Sequence, residues 1–249
     1  MILTFAEHPE LSNWRFSSQF LRLRGEVSMH PVNNPRQVRE LIDISPAISE
    51  TSPVWPGDTA FSRVSTLDMN GNDVVSVSKF CTTPHVGAHA DAPAHTRIDG
   101  ASIGDVPLEP YLGEALVLDL TACEDAPGIA DLEIALARIG GLSAPRLILR
   151  TYEHYPTQWD SNFFGVAAEM IHWFADRGGQ LIGIDGASFD PMASKSMDAH
   201  HAANDRGMSI LEGLCLDEVT EGRYELIALP LKFRNLDASP VRAVLRTLP

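Results

Sequence analysis

Three histidines and an aspartate crowd into one stretch broken by glycine and proline, Pro84-His-Val-Gly-Ala-His-Ala-Asp-Ala-Pro-Ala-His95. Whatever backbone forms here decides where His85, His89, Asp91 and His95 point. His85 and His89 are spaced as on one helix face, the arrangement of H-E-x-x-H zinc proteases. A helix is disfavoured, because Gly87 weakens it and Pro93 lacks the N–H its interior would need. In a strand all four residues share one parity and one face. His89 and Asp91 would then lie roughly 6.6 Å apart, close enough to share an ion, but His85 would be roughly 13 Å from His89. The chain must therefore bend, and Gly87 permits it; Pro93 turns it again before His95. Imidazole and carboxylate together are a ligand set for zinc and similar divalent metals.

One such loop is rarely a complete hydrolytic site. The best complement is Asp198-Ala-His-His-Ala-Ala-Asn-Asp-Arg-Gly-Met-Ser-Ile-Leu-Glu212. In one straight helix His200 and Glu212 would be roughly 18 Å apart. Gly207 offers a break, so the spacing predicts a short helix carrying His200, a reversal, and a strand from Ser209 returning Glu212. Glu212 sits among Ile210, Leu211 and Leu214, and a buried carboxylate needs a cation or hydrogen bonds. His8, His30, His154 and His172 are isolated and read as structural or surface residues.

The rest of the chain predicts an α/β fold in one domain with interleaved elements. Strands are expected at 40–45, 74–81, 115–120, 146–150, 180–185, 224–229 and 241–248, from β-branched or short apolar runs. Helices are expected at 131–139, stopped by Gly140-Gly141, and at 166–177, stopped by Gly178. Val54-Trp-Pro-Gly-Asp58 reads as a turn. Residues 1–36 lack this regularity and read as a flexible N-terminal extension preceding the domain at 37–249. Met29 is a second possible start, and Trp14, Phe16, Phe20 and Leu21 could anchor such an arm at a subunit contact.

The net charge of −14 disfavours nucleic acid and anionic membranes and suits a small-molecule substrate. Cys81, Cys123 and Cys215 form no C-x-x-C pair, so a reduced, cytoplasmic setting is expected. No apolar run is long enough for a transmembrane helix, and the N-terminus does not read as a signal peptide. G-x-S-x-G is missing, which argues against a serine nucleophile, although Ser188 lies near Asp185. A purely structural metal site would be closed and rich in cysteine, whereas this set has none and leaves a histidine spare.

His85-Val-Gly-Ala-His89-Ala-Asp91-Ala-Pro-Ala-His95 resembles the signature H-x-G-[TA]-H-x-D-x-P-x-H of the cyclase family of metal-dependent amidohydrolases. The resemblance runs from about residue 40 to 249. It includes Trp55-Pro-Gly-Asp58, Leu149-Arg-Thr-Tyr152, Ser194 to His201, Ile210-Leu-Glu-Gly213 and Leu236 to Arg246. The resemblance implies a swivelling β/α/β fold with a mixed sheet, a homodimer or higher oligomer, and two divalent ions, usually zinc, although manganese and cobalt share such ligands. It implies that His85, His89 and His200 are terminal ligands, that Asp91 and Glu212 touch both ions, that His95 moves protons, and that Trp55 lines the pocket. Within the family the chain is similar to the arylformamidase branch, which implies hydrolysis of N-formyl-L-kynurenine to L-kynurenine and formate. Another aromatic or cyclic amide is the nearer alternative, and a non-catalytic metal-binding protein the more distant one. Three features depart from the pattern: Gly186-Ala187-Ser188 in place of Thr-Pro-Ser, Thr96 in place of an aromatic residue, and the N-terminal extension.

Overall fold

Four parallel strands form the centre of the molecule, because each is an apolar run long enough only for a strand buried on both faces. They are β5 (Leu112–Asp119), β6 (Arg146–Arg150), β7 (Leu181–Ile184) and β8 (Ser209–Glu212). Three helices link them in order: α1 (Ile129–Arg138), α2 (Ala168–Ala175) and α3 (Asp198–Asp205). The computed structural model describes residues 39–249. The expected extension over 1–36, with Met29, His8 and His30, lies outside them.

Alternation along these strands divides the core. Leu116, Leu118, Leu147, Leu149, Ile182, Ile184 and Ile210 face the three helices, packing with Leu132, Leu136, Met170 and Phe174. Ala115, Val117, Ile148, Leu181 and Leu211 face the other way. They share that second core with Ala88 and Ala90 from one end of the sheet and with Leu226 and Leu245 from the other. The sheet therefore curls.

The remaining strands extend this centre by antiparallel pairing: β1 (Leu41–Asp43), β4 (His89–Asp91), β9 (Gly222–Ile227), β10 (Ala238–Pro240) and β11 (Val244–Thr247). Among the described residues the order is β1-β11-β9-β5-β6-β7-β8-β4-β10, with β2 (Ser62–Leu67) and β3 (Val77–Cys81) forming a separate hairpin. This is the mixed α/β architecture the sequence led us to expect.

Several boundaries differ from expectation for identifiable reasons. Helix α2 starts at Ala168 rather than Val166, because the Val166 N–H donates to the Phe189 carbonyl at 2.7 Å and holds the chain extended. Strands β2 and β10 were not expected. The first is largely polar and fully exposed, and the second is Ala-Ser-Pro, which takes strand form only because Ala238, Ser239 and Pro240 pair with Asp91, Ala90 and His89.

Candidate metal centre

Strand register brings the two distant halves of the site together. β4 pairs antiparallel with β8, and His89 lies directly opposite Glu212. Asp91, two residues on, shares that face. The chain reaches β4 through Gly87 at φ +63°, the bend that His85 requires, and the His85 and His89 rings end 5.0 Å apart. Gly213 backs onto this bend, and a Cβ there would sit 2.4 Å from the Gly87 carbonyl oxygen. After α3 the chain reverses at Gly207, φ +63°, and enters β8 at Ser209, as the spacing predicted.

The side chains interlock. Asp91 Oδ1 lies 3.1 Å from His85 Nδ1 and 3.5 Å from His89 Nε2, while its Oδ2 lies 3.3 Å from His200 Nε2. Glu212 spans the other side: Oε2 is 3.2 Å from His89 Nε2 and Oε1 is 3.4 Å from His200 Nε2. Each carboxylate thus reaches two or three imidazoles through different oxygens. His89, Asp91, His200 and Glu212 are each no more than 5% exposed.

Outer partners fix the imidazole tautomers. His89 Nδ1–H donates to the Gly87 carbonyl at 2.9 Å, which leaves Nε2 with its lone pair facing the centre. His200 Nδ1–H donates to Asp190 at 2.6 Å, and the same carboxylate accepts the Ala199 and His200 backbone N–H groups at the start of α3. His85 Nε2 and His95 Nδ1 both meet Asp237 Oδ2, at 2.9 and 3.3 Å.

These carboxylates create a demand for positive charge. Burial opposes protonation of His200, but Asp190, Asp91 and Glu212 outweigh it and raise the imidazole to about 12. Burial likewise opposes protonation of His85, yet Asp91 and Asp237 lift it to about 9. Burial works against the Asp91 charge, and His200 and His85 beside it nevertheless hold the carboxyl well below the usual range. Among the described residues the buried His89 Nε2 and Asp91 Oδ1 make no well-aligned hydrogen bond, although His85 Nδ1 stands 3.1 Å from Asp91 Oδ1. Unpaired polar atoms in a buried site are costly, and a divalent cation would satisfy both while neutralising the carboxylates. His85, His89 and Asp91 offer ligand atoms within 4.8 Å of one another, as do Asp91, His95 and His200, and as do His85, His95 and Asp237. The residues present therefore fit a divalent metal.

Residues 42–191, which take in His85, His89, Asp91 and His95, match the family described as "Putative cyclase". The chain belongs to the cyclase family. A solved structure described as a potential metal-dependent hydrolase with cyclase activity is 27% identical, covering 85% of this chain and 100% of its own, with a TM-score of 0.73. A predicted metal-dependent hydrolase from Bacillus stearothermophilus is 26% identical, covering 84% and 98%, with a TM-score of 0.70. Isatin hydrolase A from Ralstonia solanacearum shares the fold at 19% identity, covering 84% and 92%, with a TM-score of 0.73.

In this cyclase-family chain, a cavity of about 520 Å³ opens over the centre. His85, His89, His95 and Glu212 border it, and Trp55, Tyr152, Tyr155 and Trp159 form walls. Trp55 closes the expected turn, its carbonyl accepting the Asp58 N–H at 2.9 Å, and its ring meets Trp159 edge-on at 5.2 Å. His95 stands beside the histidine–carboxylate cluster rather than apart from it, but its side chain is 29% exposed against 1–4% for Asp91, His89, His200 and Glu212. His201, next to His200, is exposed, as are His154 and His172. Thr96 accepts a hydrogen bond from Asn204 at 2.8 Å and so ties the β4 turn to α3.

Sequence reasoning missed two carboxylates. Asp190 lies in Ser188-Phe-Asp-Pro191, and Asp237 just before β10. Asp237 fell inside a matching block but gave no periodic signal; it acts because β10 lies against β4. Ser188 forms no catalytic relay among the described residues: its hydroxyl accepts the Asp190 N–H at 3.3 Å, and Asp185 is tied to Thr151 and Tyr152.

Proposed function

We propose that the chain is a kynurenine formamidase, hydrolysing N-formyl-L-kynurenine to L-kynurenine and formate in tryptophan breakdown. The observation carrying this reading is the cavity, which the indoles of Trp55 and Trp159 line together with His85, His89, His95 and Glu212. An aryl formamide has the same division, an apolar ring beside one hydrolysable carbonyl. The volume falls within the ~300–1,000 Å³ usual for small-molecule sites.

The proposed metal complement is two divalent ions, zinc first, with His85, His89 and His200 as terminal ligands and Asp91 and Glu212 shared. Such ions supply a Lewis acid that polarises an acyl oxygen and acidifies water at neutral pH. The chain's own residues do the rest. Trp55 packs against the aromatic ring and orients the formyl group. Asp237 accepts the His95 Nδ1–H, which leaves Nε2 to take a proton and pass it on. The aniline nitrogen leaves poorly unless protonated, so His95 delivers that proton as the C–N bond breaks. The burial of Asp91, Glu212, His89 and His200 keeps bulk water from the ligand group.

A homodimer belongs to the same proposal. It is supported by the exposure of the β2–β3 hairpin and of residues 231–236, both rich in large apolar side chains. A ring-opening hydrolase of a cyclic aromatic amide is the second reading, favoured by the fold shared with isatin hydrolase A.

Turnover of N-formyl-L-kynurenine, formanilide and isatin, with metal per chain measured on the same sample, separates the two. The formamidase reading expects the highest kcat/KM for N-formyl-L-kynurenine and about two metal equivalents. Preference for isatin would transfer the assignment to the cyclic amide, and a fully loaded sample with one equivalent would sink the two-ion centre.

A further inference from the structure

Apart from Glu212, the cavity lining carries its own charge pattern. Asp58, Asp160 and Asp185 line the cavity, and among the described residues no lysine or arginine does. The three carboxylates are not equivalent. Asp185 is 2% exposed and is consumed by Thr151 and Tyr152, which donate three hydrogen bonds to it. Asp58 is exposed on the Trp55 turn. Asp160 is half-buried and held from both sides: the Tyr152 hydroxyl donates to Oδ2 and the Asn162 N–H donates to Oδ1, each at 2.8 Å. Each oxygen keeps one acceptor position, and no cationic side chain pairs with Asp160 among the described residues.

A rigidly held, half-desolvated carboxylate in a cavity without basic residues attracts a cation and repels an anion. Trp159, its chain neighbour, lines the same cavity, as does Tyr152, whose hydroxyl holds the carboxylate. We propose that Asp160, positioned by Tyr152, binds the ammonium group of a substrate whose aromatic ring lies on the Trp55–Trp159 wall. Residue Asp160 thereby selects aryl formamides that carry an amino-acid side chain over those that carry none, or only a carboxylate. The substrate's own carboxylate finds no basic partner among the described lining residues. This inference rests on the formamidase reading and extends it to the far end of the substrate.

The test compares kcat/KM for N-formyl-L-kynurenine with that for its analogue lacking only the α-amino group, in the metal-loaded protein. The wild type should prefer the amine by about tenfold or more, the worth of one charged hydrogen bond. In Asp160→Asn that preference should collapse towards unity, with the loss in KM rather than kcat. Tyr152→Phe should reduce the preference less and in the same direction, and it keeps the test open if Asp160→Asn folds poorly. A wild type that hydrolyses both compounds equally well overturns the ammonium site while leaving the formamidase reading intact. So does an undiminished preference in Asp160→Asn. If neither aryl formamide is hydrolysed, the formamidase reading falls, and this inference with it.

Discussion

The β4–β8 pair and the β2–β3 hairpin are both short antiparallel pairings, yet they meet opposite fates. Every residue of β4 is buried, as are three of four in β8. Every residue of β2 and β3 is exposed, including Val64, Leu67, Val77 and Phe80. Strands β4 and β8 lie between β7 and β10, so their polar side chains are desolvated and must answer one another. The hairpin satisfies its own backbone, and the aromatic packing it makes among the described residues is the Phe61–Phe80 stack at 5.9 Å. A two-stranded sheet alone is marginal in water. One region thus gathers buried carboxylates and imidazoles whose chemistry fits a metal, and the other exposes large apolar side chains.

The largest effect should come from removing charge where burial is deepest. Glu212→Gln keeps the shape of the β8 side chain but not its charge. Metal content after dialysis should fall by well over the ~100-fold that loss of an outer partner produces, and turnover with it. Full metal retention would break the claim that the buried pair is built for a cation. Next, His95→Ala should keep its metal and lose about 10²- to 10⁴-fold in kcat, the usual worth of a proton-transfer group. Loss of metal instead would make His95 a ligand, a role its grouping with Asp91 and His200 also permits. Asp190→Asn removes no proposed ligand atom but loosens the hold on His200, so metal affinity should weaken about 10- to 100-fold on titration.

How far the sequence disclosed this site depends on which contacts are local. Parity placed His89 and Asp91 on one face, and the impossibility of a straight strand required the bend at Gly87. The interval from His200 to Glu212, with Gly207 between them, already implied the helix, the reversal and the returning strand. These inferences worked because backbone geometry alone constrains them. Asp190 and Asp237 were hidden because their roles come from tertiary neighbours: Asp190 from the start of α3, Asp237 from a three-residue strand with no propensity of its own. The four central strands were legible as apolar runs, whereas β2, polar and exposed, carried no burial pattern to read.

The hairpin side of the comparison gives a smaller effect on the chain itself. Phe80→Glu places a charge on its 70% exposed aromatic. If a second copy covers this face, light scattering should show a dimer for the wild type and monomer for the variant, with little change in secondary structure. A dimer unchanged in the variant would separate the hairpin from the interface.

The smallest expected effect tests the buried side by protons alone. Burial pushes the Asp185 carboxyl from an ordinary 3.8 up to about 6, in spite of its three hydrogen bonds from Thr151 and Tyr152. The folded chain then binds this proton more tightly than the unfolded chain. The corresponding stability is fully present below about pH 4 and is lost as pH rises through about 6. Its size is of order 1–3 kcal/mol. Denaturant unfolding of the wild type and Asp185→Asn across this window isolates the term, because exposed carboxylates titrate alike in both proteins. The difference in unfolding free energy should shift steadily in favour of the variant as pH rises from 4 to 6, since the amide has no charge to desolvate. A pH-independent difference would mean that Thr151 and Tyr152 fully compensate the buried charge, and that Asp185 is ionised in the fold throughout.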